Sequence, residues 1–206
     1  MRTPLLDALR PALYLVGRAY FGLRLRGVEN IPAEGPLLIT PNHQTYADPP
    51  LITIPFRCPV YYMAWDALFE VPGLAWMMRR LRAFPVALDN ADPKAIRQTV
   101  RLLDAGAAVM IFPEGGRSPD GRLQHFKLGA FRLAVAHGVP ILPVTLAGGS
   151  DSWPPDRLLP RPGRVTVSYH PVLRVGPARD PKAAARDLAE RARAAIASAL
   201  PAGHVM

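Results

Sequence analysis

Apolar and polar positions along the chain form blocks that predict strands alternating with helices. Segments that predict strands occupy residues 24–29, 37–39, 60–64, 84–86, 108–112, 141–146 and 164–169. Segments with apolar positions three and four residues apart predict helices from residue 48 and over 72–82, 92–103, 126–137 and 180–200. This alternation favours an α/β fold with a mostly parallel central sheet and helices on both faces. The strand at 164–169 is a candidate for an edge of that sheet.

The N-terminal segment, residues 1–23, predicts an amphipathic helix. Its apolar positions follow steps of three or four residues, at Leu5, Leu9, Leu13, Val16 and Tyr20. Such a helix can pack on its own domain or lie in the headgroup layer of a membrane, and the sequence leaves both interpretations open. Pro11 is expected to kink or divide the helix near Arg10, because proline lacks an amide proton and clashes with the preceding turn.

The predicted helix at 72–82 carries large apolar side chains beside a basic run. Trp76 and Met77 precede Arg79 and Arg80. Tryptophan and methionine at helical spacing usually belong to the core. The alternative is a hydrophobic wall for an acyl chain with its mouth at the membrane surface. The sequence leaves both interpretations open.

The first candidate for chemistry is a polar loop after the apolar run at 37–39. Asp48 followed by Pro49 is typical of a helix N-cap and first helical position, which would hold the carboxylate in place. His43 precedes Asp48 by five residues, so a folded loop can bring its imidazole to that carboxylate. Asp48 would then orient the ring and stabilise the imidazolium, as a general base requires. The alternative is a surface histidine beside a helix cap.

A second polar loop, residues 112–118, follows the apolar strand near 108–111. Because ligands gather at the carboxyl ends of strands in open α/β sheets, both loops are expected to form one site. Glu114, Gly115 and Gly116 predict a turn whose backbone can approach a ligand closely. Arg117 offers a planar charged fork suited to a phosphate, and its alternative is a structural ion pair. Glu114 is expected to shape the loop.

These motifs resemble those of the glycerolipid acyltransferases related to 1-acylglycerol-3-phosphate acyltransferase. Asn42, His43 and Asp48 match that family's first motif, Asn-His-x4-Asp. Phe-Pro-Glu-Gly at 112–115, with Arg117 and Ser118, resembles the third motif, and 139–144 resembles the fourth. The resemblance covers residues 27–169. It predicts a single acyltransferase domain over 1–206, with a catalytic core at 24–170 and a C-terminal helix at 180–200.

The resemblance implies transfer of an acyl group from a thioester to the hydroxyl of a lysophospholipid. His43 would act as general base and Asp48 would orient it. The acceptor would be 1-acylglycerol-3-phosphate, and the donor an acyl-coenzyme A or an acyl-carrier protein, with no cofactor and no metal. The expected substrate-binding residues are Glu114, Gly115, Gly116, Arg117 and Lys127.

The chain departs from the family pattern where the second motif is expected. Trp65 and Leu88 stand at positions where family members often have lysine and arginine, and Gly116 replaces a threonine. Since the missing arginine is expected to help bind the acceptor phosphate, Lys127 is predicted to substitute for it on the first turn of the next helix. Arg82 is the weaker candidate. A different lysolipid or an amino-lipid acceptor is the alternative.

Composition limits the function classes further. The chain has 206 residues, a formal net charge of +9 and one cysteine. It shows no zinc-finger spacing, RNP-like motif or long basic block, so the charge favours an anionic membrane surface over nucleic acid. No apolar run approaches the roughly 18 residues of a spanning helix, and no signal peptide is apparent. A peripheral position on the cytoplasmic face of the membrane is therefore expected.

The motifs of other catalytic mechanisms are absent from the sequence. The sequence has no Gly-x-Ser-x-Gly elbow and no Walker loop, and its remaining histidines stand singly. Two competing hypotheses stay open. A thioesterase would use water in place of the acceptor hydroxyl, and a non-catalytic lipid-binding protein would keep only the fold.

Overall fold

A computed structural model describes residues 4–87, 92–154 and 157–205. Within them, one sheet has the strand order β1-β7-β6-β2-β5-β3-β4. Strands β2 to β6 run parallel to one another, and β7 pairs antiparallel with β6. The mostly parallel sheet is thus confirmed. The strands are β1 Arg24–Arg26, β2 Leu37–Pro41, β3 Val60–Trp65, β4 Ala83–Val86, β5 Ala108–Met110, β6 Ile141–Ala147 and β7 Thr166–Tyr169.

The first helix precedes β1, the last follows β7 and the others lie between strands; the sequence pattern does not predict the short helix after β6. Short 3-10 helices precede β2 and follow β3, at Val28–Asn30 and Asp66–Phe69. The α-helices are α1 Pro4–Phe21, α2 Asp48–Thr53, α3 Pro72–Arg80, α4 Pro93–Asp104, α5 Gly129–His137, α6 Gly149–Ser152 and α7 Pro181–Ala197. None of the described helices is both long enough and apolar enough to cross a membrane.

Each face of the sheet has its own apolar cluster. Successive side chains of a strand alternate between faces, so Leu37 and Ile39 of β2 contribute to one cluster and Leu38 to the other. Helices α1, α2 and α3 pack on what we name the first face, and α4, α5 and α7 pack on the second face. Helices on both faces are therefore confirmed.

Strand β7 does not form an edge, so that prediction is wrong. β7 lies between β6 and β1, and Arg24 to Arg26 of β1 pair in parallel with Thr166 to Ser168. β1 is shorter than predicted, because Gly27 turns the chain with a positive φ of 68° into a 3-10 helix. The edge is instead the short strand β1, whose Arg24 and Arg26 are exposed.

Helix α1 packs on the first face through a side other than the predicted apolar stripe. Tyr14 and Phe21 contact the core, while Leu9, Val16 and Tyr20 of the stripe are exposed. The side chain of Leu5 lies outside the described part. The helix runs through Pro11 without division, since proline removes only one amide donor. The predicted division is therefore wrong, and the kink stays a prediction.

Helix α3 ends at Arg80 and buries only part of its apolar content. Ala75 is buried and Met78 packs against the core, but Trp76 and Met77 are exposed. The core interpretation therefore fails for these two side chains. Trp76 and Met77 lie on the outer side of the helix, because Ala75 and Met78 occupy its inner side.

Candidate active site

The histidine of the first motif contacts its predicted aspartate. His43 Nδ1 lies 2.9 Å from Asp48 Oδ2, in the loop between β2 and α2. Asp48 is fully buried, whereas the His43 side chain keeps 17% of its surface exposed. A buried carboxylate beside Nδ1 favours the proton on that nitrogen. Nε2 is then the basic nitrogen, as a general base requires.

Asp48 is not the N-cap of α2, so that part of the prediction is wrong. The N-cap is Ala47, and Asp48 is the first helical residue. Its carboxylate turns back to the loop, where Oδ2 accepts hydrogen bonds from the backbone amides of Gln44 at 2.6 Å and Thr45 at 2.9 Å. The Thr45 hydroxyl donates to Oδ1 at 2.6 Å. These donors compensate the buried charge and fix the loop that carries His43.

Neighbouring side chains fix the same loop to β6 and to the loop that follows it. Asn42 Nδ2 donates to the Leu146 carbonyl at 2.9 Å, and the Leu146 amide donates to Asn42 Oδ1 at 2.7 Å. Gln44 Oε1 accepts from the Gly149 amide at 2.8 Å. In the sequence, Asn42 could be recognised only as part of a motif. Gln44 and Thr45 are not predicted, because polar residues in a loop show no periodic pattern.

Glu114 joins the two predicted loops. Its Oε1 accepts from the His43 amide at 2.8 Å, and its Oε2 accepts from the Gln124 amide at 3.1 Å. The Ser118 amide donates to the His43 carbonyl at 2.8 Å. The His43 ring stacks on Phe112, with ring centroids 3.8 Å apart. The expectation that both loops meet, with Glu114 shaping the second, agrees with this geometry.

Burial raises the pKa of Glu114 from its ordinary value of 4.5 to about 7. The amide donors His43 and Gln124 favour the carboxylate and oppose that shift. Glu114 therefore changes protonation near neutral pH while it holds the loop of His43.

Gly115 and Lys127 are in contact across the second loop. Gly115 has a φ of 78°, a conformation that favours glycine, and an added Cβ would lie 2.5 Å from Lys127 Nζ, so a side chain here would displace the end of the lysine. At Gly116 an added Cβ would meet nothing within 4 Å, which explains how this site accommodates either glycine or the family's threonine. Lys127 lies in the loop before α5, not in the first turn of the helix as predicted, because α5 begins at Gly129.

Arg117 stacks on a tyrosine that sequence reasoning missed. Arg117 Nη2 donates to the Tyr46 hydroxyl at 2.8 Å, and its Cζ lies 3.7 Å from the ring centroid. Tyr46 also meets Trp153 edge to face. No ion pair joins Arg117 to a carboxylate among the described residues. The guanidinium is thus held by an aromatic neighbour and keeps its full charge.

Arg82 lies away from this site. It precedes β4, at the amino end of that strand, whereas His43 follows the carboxyl end of β2. The buried Arg82 guanidinium lies 5.6 Å from the centroid of Tyr61. Arg82 is therefore not placed to substitute for the missing arginine. Leu88, the position of that arginine, lies outside the described residues. No group of three metal-binding side chains occurs in the described part of the chain.

The fold and the site define an α/β protein with a histidine–aspartate pair and a basic loop at the carboxyl ends of parallel strands. The chain belongs to the acyltransferase family, whose model, described as Acyltransferase, matches residues 22–147. The matched residues span β1 to β6 and include both loops of the site.

The chain is similar to several proteins named 1-acyl-sn-glycerol-3-phosphate acyltransferase. The one from Pseudomonas aeruginosa is 34% identical over 171 residues, 80% of this chain and 64% of the relative. The one from Bacillus subtilis is 30% identical over 149 residues, 70% of each chain. The chloroplastic protein from Brassica napus is 33% identical over 141 residues, 66% of this chain. The chain spans only 34% to 54% of the length of the plant and algal relatives.

A solved structure has the same fold. It is the 1-acyl-sn-glycerophosphate acyltransferase PlsC from Thermotoga maritima. The TM-score is 0.74 and the identity 26%, and the match covers 94% of this chain and 81% of that one.

Proposed function

We propose that this protein transfers a fatty acyl group from a thioester to the hydroxyl of a lysophospholipid, with 1-acylglycerol-3-phosphate as the first candidate acceptor. The observation that carries the proposal is the His43–Asp48 pair held against the loop that bears Arg117 and Lys127. The names of the relatives support the same activity.

His43 performs the proton transfers. Its Nε2 accepts the proton of the acceptor hydroxyl while the hydroxyl oxygen attacks the thioester carbonyl. The tetrahedral adduct then collapses, the carbon–sulfur bond breaks, and the imidazolium returns the proton to the departing sulfur. Asp48 stabilises the imidazolium between these steps through its 2.9 Å contact with Nδ1. The products are the acylated lipid and a free thiol.

Two cations of the chain between β5 and α5 bind the acceptor phosphate. Arg117 offers a planar fork that Tyr46 orients, and Lys127 offers a point charge above Gly115. Together the two cations neutralise the charge of the phosphate, which carries up to two negative charges. Glu114 holds this loop against His43 and does not itself transfer protons.

The protein works at an anionic membrane surface as a peripheral protein on the cytoplasmic face. Helix α1 supplies the contact, because Leu9, Leu15, Val16 and Tyr20 are exposed and the last turn of the helix carries the exposed Arg18. The acyl donor is a thioester of coenzyme A or of an acyl-carrier protein, and the reaction requires no further cofactor.

The test is thiol release from an acyl thioester by the purified protein, measured with and without 1-acylglycerol-3-phosphate. Acceptor-dependent release supports the transferase. Release without acceptor identifies a thioesterase, and no release identifies a lipid-binding protein. The control is His43→Ala, which should reduce release by about 100-fold or more while circular dichroism stays unchanged. Residual activity within a few-fold of wild type would remove His43 from the mechanism.

A second acceptor class is favoured by one observation. Trp65 ends β3 at the carboxyl edge of the sheet and is exposed, where family members often have lysine. An aromatic side chain there suits an uncharged or amino-bearing headgroup better than a phosphate. A panel of lysophosphatidate, a zwitterionic lysolipid and an amino-lipid separates these acceptors, and preference for either of the last two would reassign the substrate.

A further inference from the structure

Exposed apolar side chains are distributed unequally between the two faces of the molecule. On the first face, the outer sides of α1 and α3 expose Leu15, Val16, Trp76 and Met77, by 66%, 60%, 58% and 44%. On the second face, Ile96 alone is exposed, by 41%, among the large apolar side chains described on α4, α5 and α7. Single exposed apolar side chains are normal on protein surfaces, but neighbouring ones grouped on one face indicate an interaction site.

The two apolar patches lie toward opposite edges of the sheet. The end of α1 is tied to β1 and to the chain before β7, since the Leu23 amide donates to the Gly17 carbonyl and the Val165 amide to the Phe21 carbonyl. Helix α3 packs near β4, which forms the other edge. Seven strands span roughly 29 Å at about 4.8 Å per strand. A single partner that covers both patches must therefore be broad and flat.

The charge of α3 matches an anionic surface. Helix α3 contains Arg79 and Arg80 and no acidic residue. The Arg80 guanidinium lies 5.0 Å from the centroid of the Trp76 ring, so cation and indole form one unit. Tryptophan with a neighbouring cation is suited to the headgroup level of a bilayer, because its apolar ring can contact the acyl chains while its N–H group and the cation stay in water. The helices α1, α4 and α7 contain acidic as well as basic residues, so this charge pattern distinguishes α3 from them.

We propose that α3 is a second membrane contact, which places Trp76 and Met77 in the headgroup layer of an anionic bilayer and Arg79 and Arg80 on lipid phosphates. The inference rests on the proposed function, which assigns the membrane contact to α1 alone. One helix leaves the protein able to rotate about the helix axis. Two contacts at opposite edges of the sheet fix its orientation, so the loop of His43 meets acceptor lipids in a constant geometry.

The direct test is quenching of tryptophan fluorescence by vesicles of phosphatidylcholine and phosphatidylglycerol with brominated acyl chains. One protein carries Trp65→Phe and Trp153→Phe and so retains Trp76 as its single tryptophan. The matched control adds Trp76→Phe and Ile96→Trp, which moves the fluorophore to the second face. Brominated vesicles should quench the first protein and leave the second unquenched. No quenching of Trp76, or equal quenching in both proteins, would overturn the inference.

An affinity measurement checks the same surface without fluorescence. Trp76→Ser combined with Met77→Ser should weaken co-sedimentation with these vesicles by fivefold or more, while Ile96→Ser should leave it unchanged. Both side chains are exposed, so circular dichroism should show an unaltered fold. Equal binding by the double variant and wild type would exclude α3 as a contact.

Activity in detergent micelles separates this inference from the proposed function. The Trp76 and Met77 variant should acylate lysophosphatidate at the wild-type rate in micelles, because neither residue contacts the site. A wild-type protein inactive in both micelles and vesicles would refute the proposed function, whereas quenching of Trp76 would still support the contact with the bilayer. Micellar activity with unquenched Trp76 would refute the membrane contact alone.

Discussion

Asp48 accounts for most of the order in the histidine loop. Its carboxylate contacts the His43 ring and accepts two backbone amides and one hydroxyl, all from the preceding loop. The residue therefore links the chemistry to the local fold, since the same oxygen that meets Nδ1 also fixes the backbone beside it. Changes at Asp48 should affect activity and stability together.

Asp48→Asn should lower both turnover and the free energy of unfolding. An amide presents one oxygen and one NH2 group, so at least one of the donors from Gln44 and Thr45 loses its acceptor. Leaving a buried donor unsatisfied costs about 1–3 kcal/mol. The matched control is Asp180→Asn at the N-cap of α7, whose Oδ1 accepts from the Lys182 and Ala183 amides and where asparagine caps equally well. Chemical denaturation of both variants measures the difference, and equal losses would contradict the assigned role of Asp48.

Lys127→Ala should raise KM for a phosphate-bearing acceptor. Loss of one charge-assisted hydrogen bond corresponds to about 1.5–3 kcal/mol of binding. Thioester hydrolysis without acceptor should change little, because Lys127 lies above Gly115 and not beside Nε2 of His43. Lys94→Ala, an exposed lysine on α4, is the control. Normal acylation of lysophosphatidate by the Lys127 variant would exclude this residue from the phosphate site.

At the scale of elements, the C-terminal tail supports the second loop of the site. The Leu123 amide donates to the His204 carbonyl at 2.8 Å, and His204 Nδ1 lies 3.0 Å from the Gly121 carbonyl. Gln124, one residue further, donates to Glu114, which in turn accepts from the His43 amide. A short chain of hydrogen bonds thus connects the tail to the catalytic loop.

Removal of residues 201–206 should lower kcat by about fivefold, because the Leu123 amide loses the His204 carbonyl as its acceptor. A fivefold change corresponds to about 1 kcal/mol, the net contribution of one hydrogen bond. The KM for the thioester should change less, because the tail contacts the loop and not the substrate. His204→Ala keeps the backbone bond to Leu123 and should have a smaller effect. Steady-state kinetics with circular dichroism as a control measures both. An unchanged kcat in the truncated protein would show that the loop keeps its position alone.

Elements with local signals could be predicted from the sequence, and those set by distant pairing could not. The pair Asp92-Pro93 marks a true N-cap, because its bonds to Lys94 and Ala95 lie within the same turn. The identical signal at Asp48 misleads, because there the loop path decides which donors the carboxylate meets. The place of β7 and the exposure of Trp76 depend on strand order and on neighbouring layers. Periodicity along one segment carries no information about either.

At the scale of the whole molecule, protonation of Glu114 links stability to pH. Its pKa is raised from 4.5 to about 7, so the folded state holds a proton that the unfolded state has lost between these values. The free energy of unfolding should therefore fall as pH rises through this range, with a slope of about 1.4 kcal/mol per pH unit. Glu114→Gln removes the titration. The free energy of unfolding of the wild type minus that of the variant, measured by denaturation, should decrease from pH 4.5 to 7 and then stay constant, because only the wild type titrates in this range. A signed difference that is constant or rises over this range would contradict the raised pKa.

Membrane binding through α1 should depend on its exposed apolar residues and on salt. Deleting the helix is a poor test, because Tyr14 and Phe21 pack on the core and their loss would destabilise the fold. Leu15→Ser with Val16→Ser changes only the outer side and should weaken binding to anionic vesicles. Wild-type affinity should also fall as salt rises, since the chain carries a net charge of +9. Co-sedimentation measures both effects, with Ile96→Ser as the control on the second face. If the double variant binds as tightly as wild type at every salt concentration, α1 is a structural helix and does not contact the membrane.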